Sequence, residues 1–142
     1  MAHSERRFRA SPPEVYEALI DAERYPQWLV GAKWVRVDDQ RWPARGSEFR
    51  HEVGVGPAAV SDVTTVEDAE FAHHLDLLVR ARPFLVAAAH FRLVPDGGGT
   101  LVVLDETPRG AYRLLAPLIS PLVRWRNDRS LARLAQLIDG DE

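Results

Sequence analysis

The sequence predicts an α+β fold: a curved, seven-stranded antiparallel sheet wrapped around a long C-terminal helix, with two short helices after the first strand. Three observations carry this expectation. Between Lys33 and Thr107, six short runs rich in Val, Thr, Phe and Leu are separated only by turn chemistry, at PARG, GVGP, EDAE, RARP and DGGG. These connections are too short for crossover helices, so hairpins join the runs. Near residue 120 the apolar period changes from that of a strand to that of a helix. A single antiparallel sheet has one face to bury, and this amphipathic helix is the element available to cover it.

Taken in order, the first strand is expected from Arg6 to Ala10. SPPEVYEALI then starts a helix, because Ser11 can cap, Pro12 suits the first helical position and Glu14 stands three residues after the cap. A second helical turn near ERYPQW is limited by Pro26. The strands follow as KWVRVDD, SEFRHEV, AAVSDVTTV, FAHHLDLLV, FLVAAAHFRLV and TLVVLDET. Ser120 and Pro121 supply a cap and a first-turn proline for LVRWRNDRSLARLAQLI. On a helical projection Val123, Leu131, Leu134, Leu137 and Ile138 share one arc, while Arg124, Asp128, Arg129 and Gln136 lie elsewhere. Asn127 and Ser130 are the polar residues inside the apolar arc.

Composition narrows the class. A chain of 142 residues, 46% hydrophobic and 27% charged, reads as one globular domain spanning 1–142. The absence of cysteine removes disulfides, thiolate chemistry and Cys-based metal centres, and fits a cytoplasmic protein. The polar start MAHSERRFRA has no signal-peptide order, and the apolar runs FLVAAA and LLAPLISPLV are too short or proline-broken for a transmembrane segment. A net charge of −3 gives no global attraction to nucleic acid. Arg113, Arg124, Arg126, Arg129 and Arg133 nevertheless crowd the C-terminal segment, and are read as a solvated helix face. A monomer or homodimer is expected.

One helix cannot fill a long curved sheet, so a cavity is expected between the helices and the concave face. In GSEFRHEVGVG, alternation puts Phe49, Val53 and Val55 on one face of a strand, and His51 shares it. His51 is then either a core histidine bonded to backbone or water, or a ligand-facing group. Asn127, in the apolar arc of the helix, needs a specific partner. Asp62 shares a face with Val60, Thr64 and Val66, and one of Asp105 and Glu106 faces inward; periodicity settles the inward side in neither strand. Carboxylates and a histidine so placed could transfer protons, each contributing about 10²- to 10⁴-fold. Trp28 lies in the short-helix region that forms a cavity edge. No metal or other cofactor is expected. His73 and His74 point to opposite faces, His90 has no ligand pattern around it, and GVGPAA precedes a strand-like run rather than a helix.

The element order, with SPPEVYEALIDAERYPQWL, FRLVPDGGGTLVVL and RNDRSLARLAQLI, resembles the START-like, or Bet v 1-like (SRPBCC), superfamily of helix-grip proteins, in its polyketide cyclase/dehydrase and lipid-transport branch. DETPRG is similar to a segment of small actinobacterial proteins of this type, which implies that Glu106 rather than Asp105 approaches the cavity mouth. The arginine-and-tryptophan strand motif of aromatic polyketide aromatase/cyclases has no clear counterpart. The resemblance implies binding of a small hydrophobic or aromatic molecule, polyketide- or lipid-like, by a carrier or sensor. Its ligand residues would be Trp28, Phe49, His51, Val53, Asp62, Glu106 and Asn127. One alternative is a cofactor-independent cyclase or dehydratase using His51 and Glu106, with Asp62 a third candidate. Another is an interaction protein that uses the Arg-rich helix.

Overall fold

The computed structural model of the chain describes residues 2–54 and 56–140. Its strands are β1 (Ala2–Phe8), β2 (Ala32–Arg36), β3 (Glu48–Val53), β4 (Val60–Glu70), β5 (His74–Ala81), β6 (Leu85–Asp96) and β7 (Gly99–Pro108). The helices are α1 (Pro12–Ile20) and α2 (Ala116–Asp139), and 3-10 turns occupy Ala22–Gln27, Gly56–Ala58 and Gly110–Leu115. All seven strands form one antiparallel sheet in the order β1-β7-β6-β5-β4-β3-β2. The fold is the expected helix grip. Register shifts between Ala32 and Trp34 and between Val66 and Asp68 mark bulges, which bend and twist a sheet locally.

Local chemistry explains the elements. At the start of α1, the Glu14 carboxylate accepts hydrogen bonds from the Ser11 N–H (3.1 Å) and hydroxyl (2.8 Å), and proline occupies the first turn. Val15, Tyr16 and Leu19 turn inward from that helix. On the concave face Phe8, Leu75, Val102 and Leu104 meet Leu131 and Leu134 of α2, all at 2% exposure or less. Each leucine so buried contributes about 1.5–3 kcal/mol.

Two boundaries differ from the sequence expectation. The first strand begins and ends earlier, because it pairs with β7 from Ala2 opposite Glu106 to Phe8 opposite Thr100. Arg9 and Ala10 form the corner after it, donating their N–H groups to the Asp139 carboxylate at 2.9 and 3.1 Å. The long helix starts at Ala116 rather than after Ser120, fed directly by the 3-10 turn, and Pro121 lies inside it. A proline there forfeits the bond that would reach the Pro117 carbonyl and crowds that carbonyl with its ring, a strain placed near the helix start.

The buried arc of α2 is also rotated. It comprises Asn127, Ser130, Leu131, Leu134 and Ala135, whereas Leu137 is 52% exposed. Among the described residues, no helix is long and apolar enough to cross a membrane.

Candidate functional site

A cavity lies where α2 and the Ala22–Gln27 turn arch over the sheet. It measures about 50 Å³. Its walls are mainly apolar, with Trp28, Phe49, Leu77 and Phe91 among them. Tyr25 sits edge-on to both Trp28 and Phe49, at centroid distances of 5.1 and 5.7 Å, and so fixes two cavity walls relative to each other. Of the residues singled out from the sequence, Trp28, Phe49, His51, Val53, Glu106 and Asn127 all line this space. Val55 lies outside the described residues.

His51 is 2% exposed, on the wall made by β3 and β4. Its Nε2 lies 2.8 Å from the Arg80 carbonyl oxygen, which can only accept, so the proton sits on Nε2. Nδ1 then accepts from the Thr64 hydroxyl at 3.2 Å. Burial pushes the imidazole below its ordinary value. The Arg80 carbonyl and the Asp62 charge oppose that shift, and the Arg126 charge adds to it. The ring is therefore neutral near pH 7, with both nitrogens engaged.

The facing wall, from β7 and α2, carries the other polar group. Glu106 points inward at 5% exposure, and Asn127 Nδ2 donates to its Oε1 at 3.2 Å. Arg126 Nη1 stands 3.8 Å from Oε2 of the same carboxyl. Asp105 takes the opposite face, bonded to His3 at 2.5 Å and to Arg92 at 3.3 Å. The burial of Glu106 and the outward partners of Asp105 thus resolve the choice that periodicity left open.

Asp62 is a correction. The register places it opposite His51, yet it does not line the cavity. Its carboxylate is held by the Arg82 guanidinium at 2.6 and 2.9 Å, by the Arg82 N–H at 2.9 Å and by the Val63 N–H at 2.8 Å. The Arg82 contacts hold it well below the usual carboxylate range. An acid committed to an arginine in this way is a poor proton donor or ligand group.

Among the lining residues not singled out from the sequence, Thr64 and Arg126 are the two that contact His51 and Glu106. Thr64 was visible only as a neighbour of Asp62, because its meaning depends on the β3–β4 register that sets it opposite Phe49. Arg126 had been grouped with the solvated arginines, but it turns into the cavity rim and donates from Nε to the Val30 carbonyl at 2.9 Å. Ser130 completes that clamp. It accepts from the Val30 N–H at 3.0 Å and donates to the Arg126 carbonyl at 2.8 Å, so α2 holds both backbone polar groups of Val30.

The remaining histidines lie away from the cavity. His74 and Asp76 alternate with inward Leu75 and Leu77, and so occupy the outer face. There Asp68, His74 and Asp76 bring ligand-type atoms within 4.8 Å of one another, and His90 bonds Asp76 at 3.1 Å. The sequence reading missed this grouping because only the pairing of β4, β5 and β6 assembles it.

A curved antiparallel sheet gripping a helix, with a mainly apolar cavity between them, defines the helix-grip class. Residues 2–139 match the family described as polyketide cyclase / dehydrase and lipid transport, and the chain belongs to that family. No curated protein matches the sequence. Solved structures with the same fold include TTHA0849 from Thermus thermophilus, 20% identical with a TM-score of 0.75, the alignment covering 96% of this chain and 95% of that one. Ara h 8.0201 is 10% identical with a TM-score of 0.76, over 96% and 95% of the two chains. CalU16 from Micromonospora echinospora is 19% identical with a TM-score of 0.67, over 99% of this chain and 74% of that one.

Proposed function

We propose that the chain acts as a single cytoplasmic unit that binds a small, largely apolar molecule with one polar end, as a carrier or sensor. The observation that carries this reading is the buried Glu106 carboxyl, held by Asn127 and flanked by Arg126, in a cavity otherwise lined mainly by apolar side chains. A polar tip would meet these groups while Trp28, Phe49 and Val53 pack against the apolar body. At about 50 Å³ the cavity is well below the roughly 150 Å³ that holds a benzene-sized ring. A ring-sized ligand therefore requires widening, and the half-buried lining residues Leu29, Ala32, Val53 and Val79 are placed to give way.

The alternative is a cofactor-free cyclase or dehydratase that uses His51 as a proton-transfer group. Both ring nitrogens of His51 already have protein partners, which favours the carrier reading. Titrating the protein with aromatic and aliphatic molecules, with and without a polar tip, tests it through fluorescence and calorimetry. Saturable binding should be seen, weakened for polar-tipped molecules alone by Glu106→Gln. Absence of binding across the series would sink the reading. Multiple turnover of cyclisable aromatic precursors, lost in both His51→Phe and Glu106→Gln, would replace it with the enzyme.

A further inference from the structure

The outer face of α2 is not the uniformly solvated surface that its arginines alone imply. Opposite the buried Asn127 on the helix lie Leu118, Leu122 and Trp125, exposed by 79%, 67% and 54%, and Leu114 in the preceding turn is exposed by 84%. Residues so spaced stack along one side of a helix. The opposite side is the one that packs on the sheet, so the fold itself cannot cover this stripe.

One turn further on, the same face becomes basic. Arg129 and Arg133 are exposed, and neither forms an ion pair with the described residues. The Arg129 guanidinium lies over the Trp125 ring, 5.8 Å from its centroid. Between Ala116 and Ile138 Asp128 is the only acid, in a chain whose net charge is −3. The positive charge is thus local and directly continuous with exposed leucine and tryptophan.

We propose that this face docks on an anionic lipid bilayer. Leu114, Leu118, Leu122 and Trp125 enter the boundary between headgroups and acyl chains, while Arg129 and Arg133 meet lipid phosphates. Apolar and cationic side chains on one helix face suit that boundary, where both find partners. A second copy of the chain fits less well, since a twofold contact pairs the patch with itself, and between Ala116 and Ile138 it would offer the arginines a single acid, Asp128. A nucleic acid would engage the arginines and leave the leucines in water. Docking does not depend on the cavity reading. It would nonetheless set the bilayer beside the cavity, because Arg126 and Asn127 line the inner side of the helix turn that carries Trp125.

The test is sedimentation of the full chain with vesicles of phosphatidylcholine alone or mixed with phosphatidylglycerol, with tryptophan emission recorded. Binding is expected only to the mixed vesicles, falling as salt rises, with a blue shift that Trp125→Phe removes. Leu118→Ser with Leu122→Ser should abolish binding. Arg129→Gln and Arg133→Gln should each weaken it about fivefold. These side chains are exposed, and circular dichroism together with dye uptake by the cavity would show that fold and cavity survive. Equal binding to both vesicle types overturns the proposal, as does binding that withstands the substitutions. So does a lipid-free dimer that the leucine substitutions disrupt.

Discussion

The Thr64 hydroxyl donates to His51 Nδ1 across 3.2 Å, while His51 Nε2 donates to the Arg80 carbonyl at 2.8 Å, so one ring ties β3 to both β4 and β5. This answers why a histidine stands on the apolar face with Phe49 and Val53: it satisfies polar groups that a phenyl ring would leave alone. His51→Phe should destabilise the fold by about 1–3 kcal/mol, because the Arg80 carbonyl loses its donor and the Thr64 hydroxyl its acceptor. Urea unfolding at neutral pH measures the difference.

The same ring sets a pH dependence. Its folded pKa lies below the unfolded value of 6.5, so between the two values the unfolded chain binds the extra proton. Stability from His51 is therefore complete above about pH 6.5 and declines as the pH falls toward the folded value, levelling off below it. Asp62, whose pKa is lowered chiefly by Arg82, loses its contribution only in the more acidic carboxylate range. His3, raised by its bond to Asp105, acts in the opposite direction at an exposed site. The midpoint of urea unfolding, followed from about pH 7.5 to 5, should drop more in the native protein than in His51→Phe. Parallel curves would show that His51 does not remain neutral on burial.

Ser130 tests the clamp on Val30. Its fully buried hydroxyl bonds both the Val30 N–H and the Arg126 carbonyl, so Ser130→Ala leaves the Val30 N–H without its partner at a cost of about 1–3 kcal/mol. Hydrogen exchange at the Val30 amide should accelerate more than at the Leu75 or Val102 amides in the sheet.

At the far edge of the sheet, Gly99 needs its missing side chain for space. A Cβ there would stand 2.2 Å from the Phe8 carbonyl oxygen, a backbone atom held in the β1–β7 ladder. Gly99→Ala should therefore push β1 away from β7 and cost about 1–3 kcal/mol, the range for overpacking. Unchanged stability, with unchanged exchange at the β1 amides, would contradict this close approach.

Most of the architecture was legible because it depends on periodicity and turn chemistry, which the local sequence carries. His51, Glu106 and Asn127 were legible for a related reason, as polar residues on or beside apolar faces. What sequence could not supply was pairing across distance. The strand around Asp62 does not say which of its faces turns inward, and Arg82, twenty residues later, captures the carboxylate. Arg126 read as one of five arginines until the position of Val30 gave it a partner. The start of α2 was misplaced because Ser120 and Pro121 look like a helix opening, although Pro117 occupies the first turn. Glu106 was chosen over Asp105 by resemblance alone; the outward bonds of Asp105 to His3 and Arg92 give the physical reason.

Glu106 and Arg126 provide the last test, since each is the other's buried or half-buried neighbour at 3.8 Å. Removing one member of such a pair leaves the other poorly compensated, whereas removing both together takes the charge out of that wall and leaves Asn127 as its polar group. Arg126→Met should cost about 2–3 kcal/mol, since Val30 also loses its donor and the Glu106 carboxyl its cation. The double variant Arg126→Met/Glu106→Met should cost less than the two single changes combined, by about 1 kcal/mol or more. Ligand binding should separate in the same direction: the double variant keeps or improves its affinity for wholly apolar molecules and loses its preference for those with a polar tip. Strict additivity in unfolding free energy would show that the two side chains are not coupled. A polar-tip preference retained by the double variant would move the orienting role to other groups in the cavity.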